Sequence, residues 1–389
     1  MLGEFVMGLA ILVTCWNFYN SSLSAIGLTW KDNDKVEEKE RTPSVTVMIP
    51  ARNEERVLER LMERLLQQQY DRSLYDIMVL ESNSVDRTID VCRKYEQNYN
   101  NVRCVHLNRP GKSAALNEGL KMTKSDIIAI FDADTVPRLD VISSAVSQFK
   151  DDRIAAVQGK LIPLNVRDSI IARFAALEEL FYEYSIAGRA KLGFFVPLEG
   201  TCMFIRRKAL EEAGGWNERV LTEDLDLSLR LTAMGYRIAY SPSVIAWREV
   251  TVSLKSLILQ RLRWYRGHLE FSLRGITVVP SLKLLDGVLI ILTPVFMAMN
   301  LVNYSIIFVL PHEAILTVGT ALGLSSLVSL LVALVIAKRH LIGVPYTLFS
   351  YVYMQLVVLL HLTAILMEIT RRPRTWVKTE RTGTIGEIG

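Results

Sequence analysis

Apolar positions along the chain follow two regimes. Four stretches, Phe5–Leu28, Val288–Leu310, Ala314–Ala337 and Leu341–Met367, hold apolar residues without an interior Asp, Glu, Lys or Arg. Each reaches the roughly 20 residues that the hydrocarbon core of a bilayer requires. Between the first and second stretch the apolar runs are short. Val45–Ile49 is a strand-like run ending at Pro50, and Val57, Leu58, Leu61, Met62, Leu65 and Leu66 then recur at helical spacing. The same alternation returns with Ile77–Leu80 before Asp86–Tyr95, Val102–Leu107 before Ser113–Met122, and Ile127–Phe131 before Leu139–Phe149. This rhythm predicts an α/β domain with a mostly parallel sheet covered on both faces, binding its ligand at the carboxyl ends of the strands.

Composition agrees with a mixed chain: 50% of the 389 residues are hydrophobic, and the mean hydropathy is +0.23. Phe5–Leu28 reads as a membrane anchor, because Glu4 precedes it in place of a basic cluster and no small-residue cleavage site follows. The expected plan is an anchor over 1–30, a charged linker over Lys31–Arg41, a catalytic domain over 43–275, transmembrane helices over 284–370 and a basic tail over 371–389. Asp168–Lys191 and Thr251–Arg274 carry apolar stripes expected to lie in the membrane interface, with a buried core helix as the alternative for the first.

Lys338-Arg339-His340 and the Arg371–Arg381 tail point to the cytoplasm, as for a multi-pass cell-membrane protein with a cytoplasmic catalytic domain. Four full spans cannot satisfy that charge pattern. Leu341–Met367, with Gly343, Pro345, Gln355 and His361 inside it, is therefore expected to lie partly in the interface or to re-enter. A net charge of +4 favours a membrane surface as partner and no nucleic acid. Cys15, Cys92, Cys104 and Cys202 lack metal-ligand spacing and are expected to be reduced, mostly buried thiols.

Three polar clusters carry candidate chemistry. Asp132 and Asp134 follow an apolar strand with one residue between them. They are either a solvated turn or a site for a hard cation, since Mg²⁺ is usually held by one or two carboxylates together with substrate phosphates. Thr222-Glu223-Asp224 opens an amphipathic helix with Thr222 as the expected cap. The acids there either serve the helix dipole or present a rigid general base. In Gln260-Arg261-Leu262-Arg263-Trp264 the arginines can neutralise a diphosphate and the indole can stack on a sugar, or the whole face can rest on anionic lipid.

In this order, Pro50-Ala51-Arg52-Asn53-Glu54, Ser84-Val85-Asp86-Arg87-Thr88, Asp132-Ala133-Asp134, Thr222-Glu223-Asp224 and the Gln260–Trp264 string resemble the family 2 glycosyltransferases with a GT-A fold. The last string resembles the branch of cellulose, chitin and hyaluronan synthases and ceramide glucosyltransferase. Lys112–Asn117 and Glu199-Gly200-Thr201 fit the same pattern, as do Trp376-Val377-Lys378-Thr379 and Arg381 near the end.

The resemblance implies that Asn53, Glu54, Ser82, Asp86 and Lys112 line the nucleotide pocket, and that Asp132 and Asp134 hold Mg²⁺ or Mn²⁺ against the donor diphosphate. Asp224, next to Glu223, would be the base of a one-step inverting transfer. Gln260, Arg261 and Arg263 would stabilise the leaving diphosphate, while Trp264, Gly200 and Thr201 would meet the acceptor. The family's second strand usually ends in two aspartates, and Glu81-Ser82 stands there instead. A UDP-sugar donor is favoured, with a GDP-sugar as rival. The acceptor is a saccharide, as in a polysaccharide synthase, or a single lipid such as ceramide or polyprenyl phosphate. The complete acid set at 132, 134 and 224 speaks against a catalytically dead scaffold.

Overall fold

The structure, a computed structural model, describes residues 2–30, 42–275, 286–287, 289–290, 292–299, 312–374 and 383. The Lys31–Arg41 linker and the Trp376–Arg381 segment lie outside the described residues. Strand β1 (Val45–Ala51) pairs in parallel with β2 (Tyr75–Glu81) and β4 (Ile127–Ile130), and β3 (Val102–His106) extends the sheet past β2. Helices α2 (Leu58–Leu66), α3 (Thr88–Asn98) and α4 (Lys112–Met122) make the connections. Beyond β4 come β5 (Val136–Pro137), β6 (Ile154–Pro163), β7 (Met203–Arg206) and β8 (Arg237–Arg248), giving the order β3-β2-β1-β4-β7-β6-β8-β5. β7 runs antiparallel to both its neighbours, and β5 runs antiparallel to β8, so the sheet is mixed.

Pleating sorts the strand residues between two faces. Val47, Ile49, Ile77 and Val79 meet α2, α3 and the short α5 (Val141–Val146) on one side. Met48, Met78, Leu80 and Ile130 meet α4, α7 (Arg207–Glu212) and α8 (Glu223–Ala233) on the other. Cys92 of α3 and Cys104 of β3 form a disulfide with a Cα–Cα distance of 5.7 Å. That corrects the expectation of four free thiols, because the pairing depends on a helix packing back onto the next strand, which cysteine spacing does not report.

The helical unit comprises α1 (Leu2–Leu28), α6 (Ile170–Lys191), α9 (Leu254–Gly275), α10 (Thr293–Met299), α11 (His312–Arg339) and α12 (Val344–Ile369). Three helices are long and apolar enough to cross a membrane: Leu2–Leu28, Ala314–Arg339 and Val344–Ile369. Of the expected Val288–Leu310 span only α10 and a few flanking positions are described, and 300–311 lie outside the described residues.

Gly343, at φ +93°, precedes α12 and Pro345 occupies its first turn, where a missing N–H costs nothing, so the helix is continuous over Val344–Ile369. Helix α6 is not a one-sided amphipath, since Ala172, Ala175, Leu180, Glu183, Ser185 and Arg189 are all buried. Its backbone touches that of α1: a Cβ on Gly27 would lie 1.9 Å from the Tyr184 carbonyl oxygen, and one on Gly188 would lie 1.9 Å from that of Leu23.

Candidate active site

The carboxyl ends of β1 and β2 are tied together by their loops. Asn53, held at φ +57°, donates its N–H to Ser84 Oγ at 2.9 Å and accepts the Val85 N–H on Oδ1 at 2.8 Å. The Glu54 N–H donates to Thr88 Oγ1 at 2.7 Å, and Asp86 accepts the Thr88 N–H at 3.0 Å. These six residues therefore form a strap between loops. Ser82 is buried beside it and donates its N–H to the Ala51 carbonyl. Glu81, wholly buried, accepts the Ser84 N–H and holds His106 Nδ1 at 2.6 Å. Burial pushes the Glu81 carboxyl up, but the Ser84 and His106 bonds outweigh it and hold the group below its ordinary value.

The acids and the one lysine expected in the site come together between α4 and α8. Lys112 opens α4, and its Nζ lies 2.7 Å from Asp132 Oδ1 and 3.6 Å from Glu223 Oε1 while donating to the Gly200 carbonyl at 2.9 Å. Gly200 has φ +77°, and a Cβ there would lie 3.0 Å from Asp224 Oδ2 and 3.1 Å from Lys112 Nζ. Asp224 is pushed up to about 7 by burial and then by the Glu223 charge, against the opposing pull of Lys112. Burial pulls the Lys112 ammonium down, yet the Asp132, Glu223 and Asp224 charges win and hold it above its usual value.

Polar groups inside and outside the motifs fix this arrangement. The Asp132 N–H donates to Thr201 Oγ1 at 3.0 Å, and that hydroxyl also bonds Thr135 at 2.8 Å. Thr201 is only 2% exposed, so it positions Asp132 and does not stand open to an acceptor as expected. Gln158 accepts the Glu199 N–H and donates to the Thr201 carbonyl, and Ser228 accepts the Leu198 N–H while donating to the Asp224 carbonyl. Sequence reading missed Gln158 and Ser228, whose spacing carries no sign of the Leu198–Thr201 segment they hold. Asn117 clips Trp216 through both its N–H and its carbonyl. Thr222 does not cap α8, which begins without a side-chain cap and relies on Glu223, Asp224 and Asp226 in its first turn.

Asp132 is about a third exposed, whereas Asp134 is buried and its carbonyl accepts from Arg60 at 3.0 Å. Among the described residues no three His, Cys, Asp or Glu side chains form a metal cage. Two hard carboxylates on one loop nonetheless suit a cation whose shell is completed by phosphate oxygens.

In the helical unit, Gln260, Arg261, Arg263 and Trp264 share α9. Arg261 is wholly buried and bonds Glu178 and Glu179 of α6, each at 3.1 Å. That corrects the expectation of an open cation for a diphosphate: the guanidinium is used inside the unit, as a tie between α9 and α6.

A family profile described as "Glycosyltransferase like family 2" matches residues 43–267. The "Probable glycosyltransferase YdaM" of Bacillus subtilis is 31% identical over 260 residues, covering 65% of this chain and 61% of that protein. A "Beta-monoglucosyldiacylglycerol synthase" of Nostoc sp. is 31% identical over 58% of this chain and 49% of its own length. A "Poly-beta-1,6-N-acetyl-D-glucosamine synthase" of Staphylococcus aureus is 28% identical over 66% of this chain and 61% of its own length. The chain thus spans about half to three fifths of the curated relatives it matches. A mannosyltransferase from Pyrobaculum calidifontis, solved with GDP-Man and Mn²⁺, superposes with a TM-score of 0.65 at 21% identity, over 95% of this chain and 100% of that one. At that identity the match shows the GT-A fold.

Proposed function

The chain belongs to glycosyltransferase family 2, and on that premise we propose that it transfers a sugar, with inversion, from a nucleoside diphosphate sugar to a lipid or saccharide acceptor at a membrane. The observation that carries the reading is the Asp224 carboxylate, recessed between Glu223 and Lys112 and titrating near 7. A base with that value is half free at neutral pH and still strong enough to take a proton from a hydroxyl. Asp224 accepts the acceptor's hydroxyl proton as its oxygen attacks the anomeric carbon. The bond to the diphosphate breaks in the same step, and the configuration inverts.

Asp132 and Asp134 would hold Mg²⁺ or Mn²⁺, which supplies positive charge to the donor diphosphate when bound. Lys112 adds a fixed positive charge beside Asp132, and Arg263 is the remaining candidate for the leaving group once Arg261 is assigned to α6. Trp264 serves as the floor under the acceptor. The base pocket lies near Ser82, with a uridine donor favoured and guanosine as the rival. The three long apolar helices support the reading of a multi-pass membrane protein, and the basic flanks support a cytoplasmic catalytic unit.

The relatives' names support two acceptor classes, diacylglycerol and a growing polysaccharide. The full chain in native lipid, given a panel of labelled nucleotide sugars, is expected to release nucleoside diphosphate and to label either lipid-extractable or high-mass product. Label in neither fraction with every donor would refute the transferase reading.

A further inference from the structure

We infer that Arg261 is a positioning residue that fixes the plane of the Trp264 indole beneath the acceptor, an inference that rests on the proposed reading of Trp264 as the acceptor floor. Arg261 is the largest side chain among those wholly removed from solvent in the described residues. A guanidinium without water must have its N–H groups met by carboxylates or amides. Here its Nε donates to Glu178 Oε2 at 3.1 Å, one terminal nitrogen to Glu179 Oε1 at 3.1 Å and the other to Gln260 Oε1 at 2.6 Å. Glu178 is itself fixed, accepting from the Tyr265 hydroxyl at 3.0 Å and from the Tyr353 hydroxyl. Three helices, α6, α9 and α12, therefore hold one planar group.

That plane reaches Trp264 through one contact. Arg261 Cζ lies 4.4 Å from the centroid of the Trp264 ring. A guanidinium stacked on an indole is attracted to its face and resists tilting of the ring. Trp264 remains partly exposed, so the indole keeps surface for a sugar while its orientation is set from behind. Lysine does not reproduce this, because a point charge on a flexible stem satisfies one carboxylate and imposes no plane.

The test uses the full chain in lipid nanodiscs. Trp264→Phe subtracts the other five tryptophans and isolates the emission of Trp264, whose quenching by acrylamide is then compared between wild type and Arg261→Lys. Quenching is expected to rise about threefold, and the KM for the acceptor found by product analysis to rise about tenfold more than the KM for the donor. Glu178→Gln, which keeps one accepting oxygen but removes the charge, should shift both quantities in the same direction by less, and it serves if the lysine variant fails to fold. Unchanged quenching in both variants overturns the positioning role. A rise in quenching with equal rises in both KM values overturns the acceptor half, and it also removes Trp264 from the acceptor floor in the underlying reading.

Discussion

Lys112 Nζ is bonded to Asp132 Oδ1 at 2.7 Å and lies 3.1 Å from where a Cβ of Gly200 would be, and Asp224 Oδ2 lies 3.0 Å from the same point. One ammonium thus feels both the carboxylate proposed for the donor and the one proposed for the acceptor. Its charge lowers the proton affinity of Asp224, and it would compete for Asp132 with the divalent cation proposed there.

Asp224→Asn is expected to reduce transfer by at least about 100-fold while nucleoside diphosphate affinity stays within about twofold, since a base acts on the acceptor. Single-turnover transfer with parallel equilibrium binding checks this. Residual activity above about a tenth removes Asp224 from the base role.

The pH profile follows from the direction of its shift. Asp224 must be unprotonated to act and titrates near 7, so kcat/KM is expected to rise with pH through that region and to level off above it. Lys112 opposes the rise in the Asp224 value, so Lys112→Gln should move the acid limb to higher pH. An acid limb that stays in place in the variant means another group sets it.

Asp134→Ala should lose both transfer and the metal-dependent part of nucleotide affinity, because a cation would bridge carboxylate and diphosphate. Calorimetry of nucleoside diphosphate binding with EDTA and with Mn²⁺ decides. Equal affinities in the wild type would end the metal assignment.

Ser82→Asp is expected to sharpen the preference between UDP and GDP by about 1–2 kcal/mol, the gain for a hydrogen bond to a charged group. Glu81 cannot supply that group, being engaged by Ser84 and His106. Competition binding on wild type and variant reads the ratio, and an unchanged ratio means position 82 does not touch the base.

Gly200→Ala forces a side chain into a left-handed backbone and against Asp224 and Lys112. The backbone alone costs about 1–2 kcal/mol, and the crowding should displace the proposed base. A lowered Tm together with transfer reduced more than tenfold is expected. Wild-type transfer would show that neither Asp224 nor Lys112 needs its present position.

Much of this architecture was legible in the sequence because burial on two faces leaves a continuous apolar run at Val45–Ile49, and the helical spacing of Leu58, Leu61 and Leu65 follows it directly. The pairing of Lys112 with Asp132 was not legible. It depends on β4 ending beside the Gly200–Thr201 segment, a contact made by strands far apart in the chain. Arg261 read as an open cation because nothing in Gln260–Trp264 refers to Glu178 and Glu179 on another helix. Thr222 resembles a cap by residue type alone, and its hydroxyl makes no cap hydrogen bond.

The close approach of Gly27 and Gly188 bears on the order in which the molecule can be made. α1 is translated before the sheet, and its backbone-to-backbone partner α6 follows only after β1 to β6. The sheet is closed by β8 before α11 and α12 exist. Domains fold as units during synthesis, so the sugar-handling unit can finish its core while α1 waits for most of its neighbours. Replacing either glycine by a larger residue should therefore be felt as a defect in the packing of α1 on α6, with the core of the sheet already complete.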